Sequence, residues 1–224
     1  LHEVTQRFLE EITGNFDPKV YRLVTKVIPY GLGFLLNAIS PKEMLKGLPA
    51  LPSFSGLVDR LHFSGAIAPL KKLKQHGTLI FCPTHLSNLD SLVIGWTIFA
   101  LGLPPVTYGA GLNLFENPFL SYFMHKLGAY KVDRKKHANK LYLEILKEYA
   151  GYSLEIGYDN LFFPGGTRSR SGRIEEHLKL GLLGSSVKAY YNQLASGAPA
   201  PKIFVIPCTL NYPIVLESNK IGRA

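Results

Sequence analysis

From Thr78 onward the chain alternates short apolar runs with longer helical stretches, and this alternation restricts the fold more than any other feature. Thr78–Cys82, Val106–Tyr108, Ala129–Val132, Asn160–Phe163 and Lys202–Cys208 have the length and residue types of strands. Between them, Ser91–Leu101, Pro118–Leu127, His137–Tyr152 and Lys179–Leu194 read as helices. Strands separated by helices need crossover connections. The predicted fold is therefore α/β, with a largely parallel central sheet flanked by helices. In such sheets functional loops gather at the carboxyl ends of the strands. The residues just after each strand are thus the first place to look for chemistry.

Ahead of this region the texture is helical, which divides the chain into a helical segment, 1–75, and an α/β core, 76–224. Val4, Phe8, Leu9 and Ile12 follow helical spacing. Val20 to Ile39 is apolar and free of acids, carries only Arg22 and Lys26, and is interrupted by Pro29, Gly31 and Gly33. Two readings stand side by side: a helical hairpin packed on the core, and an interfacial helix lying on a membrane. No uninterrupted apolar stretch reaches the roughly 18 residues expected of a spanning helix. Ala195–Pro201 has the composition of a surface loop.

The net charge of +9 asks for an anionic partner: nucleic acid, an anionic membrane or a phosphorylated substrate. Cys82 and Cys208 lie far apart in apolar runs, so they form no disulfide framework, and a reducing compartment is expected. No metal or cofactor is expected. Cys82 and His85 have no further pair to complete a zinc set, and no P-loop occurs. Gly109-Ala-Gly111 lacks the third glycine of a dinucleotide fingerprint. A serine-hydrolase elbow is also missing.

Four blocks carry the chemistry. In Pro83-Thr-His85-Leu-Ser-Asn-Leu-Asp90, His85 follows a strand and Asn88 is a candidate N-cap for the next helix. On one continuous helix His85 and Asp90 would point roughly 140° apart. With His85 in the turn before the helix, Asp90 can fold back onto it and hold the imidazole as a general base. Alone, the spacing fits equally a surface histidine beside an acid at a helix start. Between Lys126 and Lys140 there are six Lys or Arg and one Asp. Arg134 is the residue there best suited to a phosphate, and Lys135 and Lys136 read as solvated or membrane-facing. In Phe162-Phe-Pro-Gly165-Gly-Thr-Arg168-Ser-Arg-Ser-Gly172, paired glycines precede alternating hydroxyls and guanidinium groups, a pattern suited to an anion-binding nest. The fourth, Phe204-Val-Ile-Pro207-Cys-Thr-Leu-Asn-Tyr212, reads by itself as a buried strand ending in a loop.

In this order the blocks resemble the glycerophospholipid acyltransferase family. Its pattern is a His-x4-Asp block, a Gly…Arg block, a Phe-Pro-Glu-Gly-Thr-Arg-Ser block and a late Ile-Pro strand. His85/Asp90, Gly128/Arg134, Phe163 to Ser169 and Ile206/Pro207 match it. Ala110-Gly-Leu-Asn113-Leu and Arg168-Ser-Arg-Ser-Gly172 look more like the glycerol-3-phosphate and dihydroxyacetone-phosphate branch. Gly165 departs from the pattern, standing where the family carries Glu.

The resemblance implies an O-acyltransferase with an acyl-CoA or acyl-carrier protein donor and a phosphorylated glycerol-type acceptor. It implies a place on a membrane surface at the cytoplasmic face, and nucleic acid is not an expected partner. His85 and Asp90 are the implied catalytic pair. The acceptor's phosphate is expected among Arg134, Arg168, Ser169 and the Gly166–Thr167 backbone. Arg170, Lys131 and Asn113 complete the expected substrate-binding set. The alternatives are a lysophospholipid (1-acylglycerol-3-phosphate) acyltransferase, and a catalytically impaired basic module that binds lipid or nucleic acid.

Overall fold

The structure is a computed structural model that describes residues 1–38, 61–87, 89–166, 168–169, 177–197 and 202–212, with Pro29, 31–38 and Leu120 described by backbone alone. Helices α1 (His2–Ile12), α2 (Pro18–Ala38) and α3 (Ile67–His76) come first. Then follow β1 (Gly77–Pro83), α4 (Asp90–Ala100), β2 (Val106–Gly111), α5 (Pro118–Lys126), β3 (Ala129–Val132), α6 (Lys140–Glu155), β4 (Asp159–Leu161), α7 (Gly181–Ala195) and β5 (Lys202–Cys208). The strands form a five-stranded sheet in the order β3-β2-β4-β1-β5. Every pairing is parallel, so the predicted sheet is observed.

Side-chain alternation along the strands supplies both cores. On one face Leu79 and Phe81 of β1, with Leu161, pack against Ile94 and Ile98 of α4. On the same face Ala110 and Ala129 meet Met124 of α5. On the other face Ile80 meets Leu154 of α6 and Ala189 of α7. Helix α4 is apolar nearly all round because it is covered twice: its Val93 and Trp96 turn away from the sheet toward Ile28 of α2. Burying each of these large side chains contributes about 1.5–3 kcal/mol.

This layering decides where a site can form. Crossovers from β1 to β2 and from β2 to β3 run through α4 and α5 on one face. The return crossovers to β4 and β5 run through α6 and α7 on the other, as a uniform crossover hand requires. The chain therefore leaves the neighbouring strands β1 and β4 toward opposite faces. A crevice opens at their carboxyl ends.

The two N-terminal helices straddle the sheet. Ile12 of α1 is fully buried with Tyr130 and Tyr142, whereas α2 lies against α4 on the opposite face. The link between them crosses β3 so closely that a Cβ at Gly14 would stand 2.6 Å from the Ala129 carbonyl oxygen. Only glycine fits there.

Several predicted boundaries move. The apolar run read as interrupted at Pro29 is one helix through Ala38. A proline removes a single intrahelical N–H, here the one that would reach the Thr25 carbonyl. The helix start is independently secured, since Asp17 Oδ1 accepts from the Lys19 N–H (2.9 Å) and the Val20 N–H (3.3 Å). The helix expected from His137 begins at Lys140 because Asn139 caps it, its Oδ1 accepting from the Tyr142 N–H at 3.1 Å. Residues 198–201 of the expected surface loop lie outside the described residues.

Candidate active site

Asp90 is the first residue of α4 and is fully buried, so its charge must be met by donors. Its Oδ2 accepts from His85 Nδ1 at 2.8 Å, from the Leu86 N–H at 2.6 Å and from the Ser87 N–H at 2.9 Å. Its Oδ1 accepts from the Tyr212 hydroxyl at 2.7 Å. A carboxylate that receives two backbone N–H groups on the oxygen facing Nδ1 makes Nδ1 the protonated nitrogen. Nε2 then carries the free lone pair. The turn 84–89 thus solves the geometry that one continuous helix would forbid. Asn88, the candidate cap, lies outside the described residues, and the α4 N-cap position is Leu89.

The imidazole is further fixed by Phe163, whose ring lies 4.2 Å away centroid to centroid and is inclined by 31°. Phe163 opens the loop after β4, and that loop is tied at several points. The Ser169 N–H donates to the His85 carbonyl at 2.7 Å, the Gly166 N–H to the Phe163 carbonyl at 3.0 Å, and the Lys179 N–H to the Pro164 carbonyl at 2.7 Å. Gly166 has φ +65°, and a Cβ there would come within 2.8 Å of Lys179 Cδ. The glycine therefore serves both the turn and the passage of the lysine.

Arg134 stands on a 3-10 turn, Arg134–Lys136, after β3. Its Nη2 donates to the Gly166 carbonyl at 3.0 Å, so it reaches the same loop. Asn113, on the turn after β2, shares the space over Gly111 with it: a Cβ on that glycine would lie 2.7 Å from Asn113 Oδ1 and 3.9 Å from Arg134 Nε. Arg168 is half-buried beside Ser169.

Among the expected set, His85 is bonded to Asp90 and Ser169, and Arg134 is bonded to Gly166 of the same loop, with Asn113 beside it over Gly111. Lys131 stands apart. Its ammonium lies 5.5 Å from the Phe115 ring centroid, on the α5 side. There burial, followed by Lys131 and Lys126, lowers the His125 pKa. Thr167 and Arg170 lie outside the described residues.

Lys136 corrects an expectation. Read as solvated or membrane-facing, it instead bonds Glu11 of α1 at 2.5 Å and lies over the Phe8 and Tyr142 rings. The surplus of bases along 126–140 concealed a partner more than a hundred positions earlier.

Two contributors were not legible as such. Phe163 is legible as part of the third block but not as the ring against the His85 imidazole. Tyr212 closed the fourth block without a role. Its only sequence signal was its place just past the end of a strand.

Burial, with a smaller push from Cys208, raises the Cys82 thiol to about 11, which disfavours its thiolate near neutrality. What remains is a histidine base with a bare Nε2, a glycine turn and an arginine, all at the carboxyl ends of parallel strands.

A family model described as Acyltransferase matches residues 67–211, which include all of these groups but Tyr212. Among solved structures, the 1-acyl-sn-glycerophosphate (LPA) acyltransferase PlsC from Thermotoga maritima is similar at 15% identity, over 87% of this chain and 82% of that one, with a TM-score of 0.38. That likeness is too slight to carry an argument about activity.

Proposed function

The chain belongs to the acyltransferase family, and we propose that it transfers a fatty acyl group from a thioester donor to a hydroxyl of glycerol-3-phosphate or a similar phosphorylated acceptor. The observation that carries this reading is the Asp90-held imidazole bonded through its backbone to the loop that Arg134 reaches. In the proposed reaction His85 Nε2 takes the acceptor's hydroxyl proton while the oxygen attacks the thioester carbonyl. The C–O ester bond forms, the C–S bond breaks, and the proton passes from His85 to the departing thiolate. Arg134, Arg168 and Ser169 would hold the acceptor's phosphate, and much of the acceleration would come from placing two substrates together.

A small apolar cleft of about 60 Å³ lies between α2, α4 and the sheet, lined among others by Ser91, Leu92, Trp96, Tyr108, Val24 and Ile28. A 1-acylglycerol-3-phosphate acceptor would use the same mechanism and would in addition need room for its own chain.

Thiol release from palmitoyl-CoA, with glycerol-3-phosphate, with 1-acylglycerol-3-phosphate and with neither, tests the reading. Release that requires one of the two acceptors is expected. Release indifferent to acceptor, or none at all, would sink the proposal. Arg134→Lys keeps the charge but loses the planar fork, so the acceptor KM should rise about tenfold with the donor KM unchanged. A rise confined to the donor would move the arginine to the carrier's phosphates.

We place the protein on a membrane surface, at the cytoplasmic face. Helix α2 exposes Leu23, Val27 and Tyr30 at helical spacing. Exposed Arg22 and Lys26 flank them. No helix among the described residues is long and apolar enough to cross a membrane. The double substitution Leu23→Ser, Val27→Ser should cut sedimentation with anionic liposomes about tenfold or more. Unchanged sedimentation of the folded variant would rule this face out.

A further inference from the structure

We infer that Tyr212 is a positioning residue of the catalytic pair, the side chain that completes the coordination of Asp90 and so keeps His85 in its reactive tautomer. This inference rests on the proposed role of His85.

The argument begins with the carboxylate. Oδ2 is saturated by three N–H donors, whereas Oδ1 receives the Tyr212 hydroxyl at 2.7 Å. Asp90 is fully buried, so Oδ1 has no water to fall back on. Without the phenol, one oxygen of a buried anion would lose its donor. The carboxylate would then be driven to rotate toward the remaining N–H groups. That response weakens its hold on the Nδ1 proton.

The placement of Tyr212 is built. β5 is paired with β1 along its whole length, from Gly77↔Lys202 to Pro83↔Cys208, so the loops after the two strands emerge side by side. They are then bonded to each other. The Thr84 N–H donates to the Cys208 carbonyl at 3.1 Å, and the Leu210 N–H to Thr84 Oγ1 at 3.0 Å. The tyrosine ring and Leu210 pack on Val93 and Trp96 of α4, the helix that carries Asp90. Backbone, ring and hydroxyl thus all act on the turn that holds the base. Tyr212 touches no reacting atom in the proposed step, which separates its role from catalysis proper.

Tyr212→Phe removes the hydroxyl and keeps the ring packing. We expect kcat to fall about tenfold or more, because the base is misassigned for part of the time, with both KM values within about twofold of wild type. A second measurement needs no substrate. In the ¹⁵N spectrum of the histidine-labelled protein, wild-type His85 should show a single tautomer, protonated at Nδ1. In Tyr212→Phe the shifts of Nδ1 and Nε2 should move toward each other, as in a tautomer mixture. Unchanged ¹⁵N shifts in folded Tyr212→Phe would overturn the inference. A fall in kcat accompanied by higher KM values and a lowered melting temperature would do the same, since that pattern marks a merely structural residue. If the wild-type protein transfers no acyl group, the proposed function fails while the ¹⁵N comparison still decides the role of Tyr212.

Discussion

Asp90 and Asp159 are buried at opposite ends of the same pair of strands, and they meet different partners. At the carboxyl end Asp90 is held by two backbone N–H groups, a phenol and an imidazole, with no fixed cation among these partners. At the amino end Asp159 Oδ1 accepts from the Leu79 N–H and from the Lys74 ammonium, each at 2.8 Å. Asp90 is surrounded by dipoles, an arrangement that under the proposed function would stabilise an imidazolium. Asp159 is paired through Oδ1 alone, its buried Oδ2 having no hydrogen-bond partner among the described residues, and it ties α3 and β4 to β1. The same side chain is thus assigned chemistry at one end of the sheet and architecture at the other.

The largest effects should come from the carboxyl end. His85→Ala should lower acceptor-dependent turnover by about 10²–10⁴-fold without unfolding the protein. Asp90→Asn should cripple turnover as well, because the amide cannot stabilise an imidazolium. Steady-state kinetics together with circular dichroism checks both. Near-wild-type turnover in folded His85→Ala protein would erase the distinction between the two ends.

A smaller effect, of a different kind, belongs to the amino end. Lys74→Met should lower stability by about 1–3 kcal/mol, less than for a wholly buried pair because the lysine is partly exposed. Turnover per folded molecule should be unchanged. Denaturant midpoints beside kinetics will show whether stability and activity separate in this way.

The smallest effect is the pH dependence of that loss. Burial holds the Asp159 carboxyl above its ordinary value of 3.8, while the Leu79 N–H and Lys74 pull it back down. Between the unfolded and folded values the folded state keeps the extra proton. Asp159 therefore costs stability as pH rises through that window. Removing Lys74 moves the folded value further up. The Lys74→Met penalty should accordingly grow as pH rises above the ordinary carboxylate range, and a penalty independent of pH would contradict the pairing of Lys74 with Asp159.

The two ends were not equally legible in the sequence. The strands were readable because each is a short apolar run bounded by helical texture, and β3 and β5 match their expected residues. His85 and Asp90 were readable because they share one local turn. Tyr212, 122 positions from Asp90, was not, because nothing in chain order reveals that β5 lies beside β1. Lys74 and Asp159 were hidden for the same reason, 85 positions apart. Lys136 shows the opposite failure, a charge run taken for a solvated face when one member had a partner in α1. Local chemistry can be read along the chain; chemistry assembled across strands needs the strand order.

The bond from the Ser169 N–H to the His85 carbonyl also bears on how substrates would be discriminated. It links, through main-chain atoms alone, the turn after β1 to the loop after β4, and those strands are neighbours at the usual spacing of about 4.8 Å. The interval between the backbone of His85 and that of the loop after β4 is then a dimension of the scaffold, fixed by peptide geometry. Under the proposed function an acceptor would be gauged by that interval: the number of bonds between its phosphate and its nucleophilic hydroxyl would have to span it. Substituting side chains around the loop would change how tightly an acceptor is held. Changing which hydroxyl is reached would require the peptide backbone itself to be respaced.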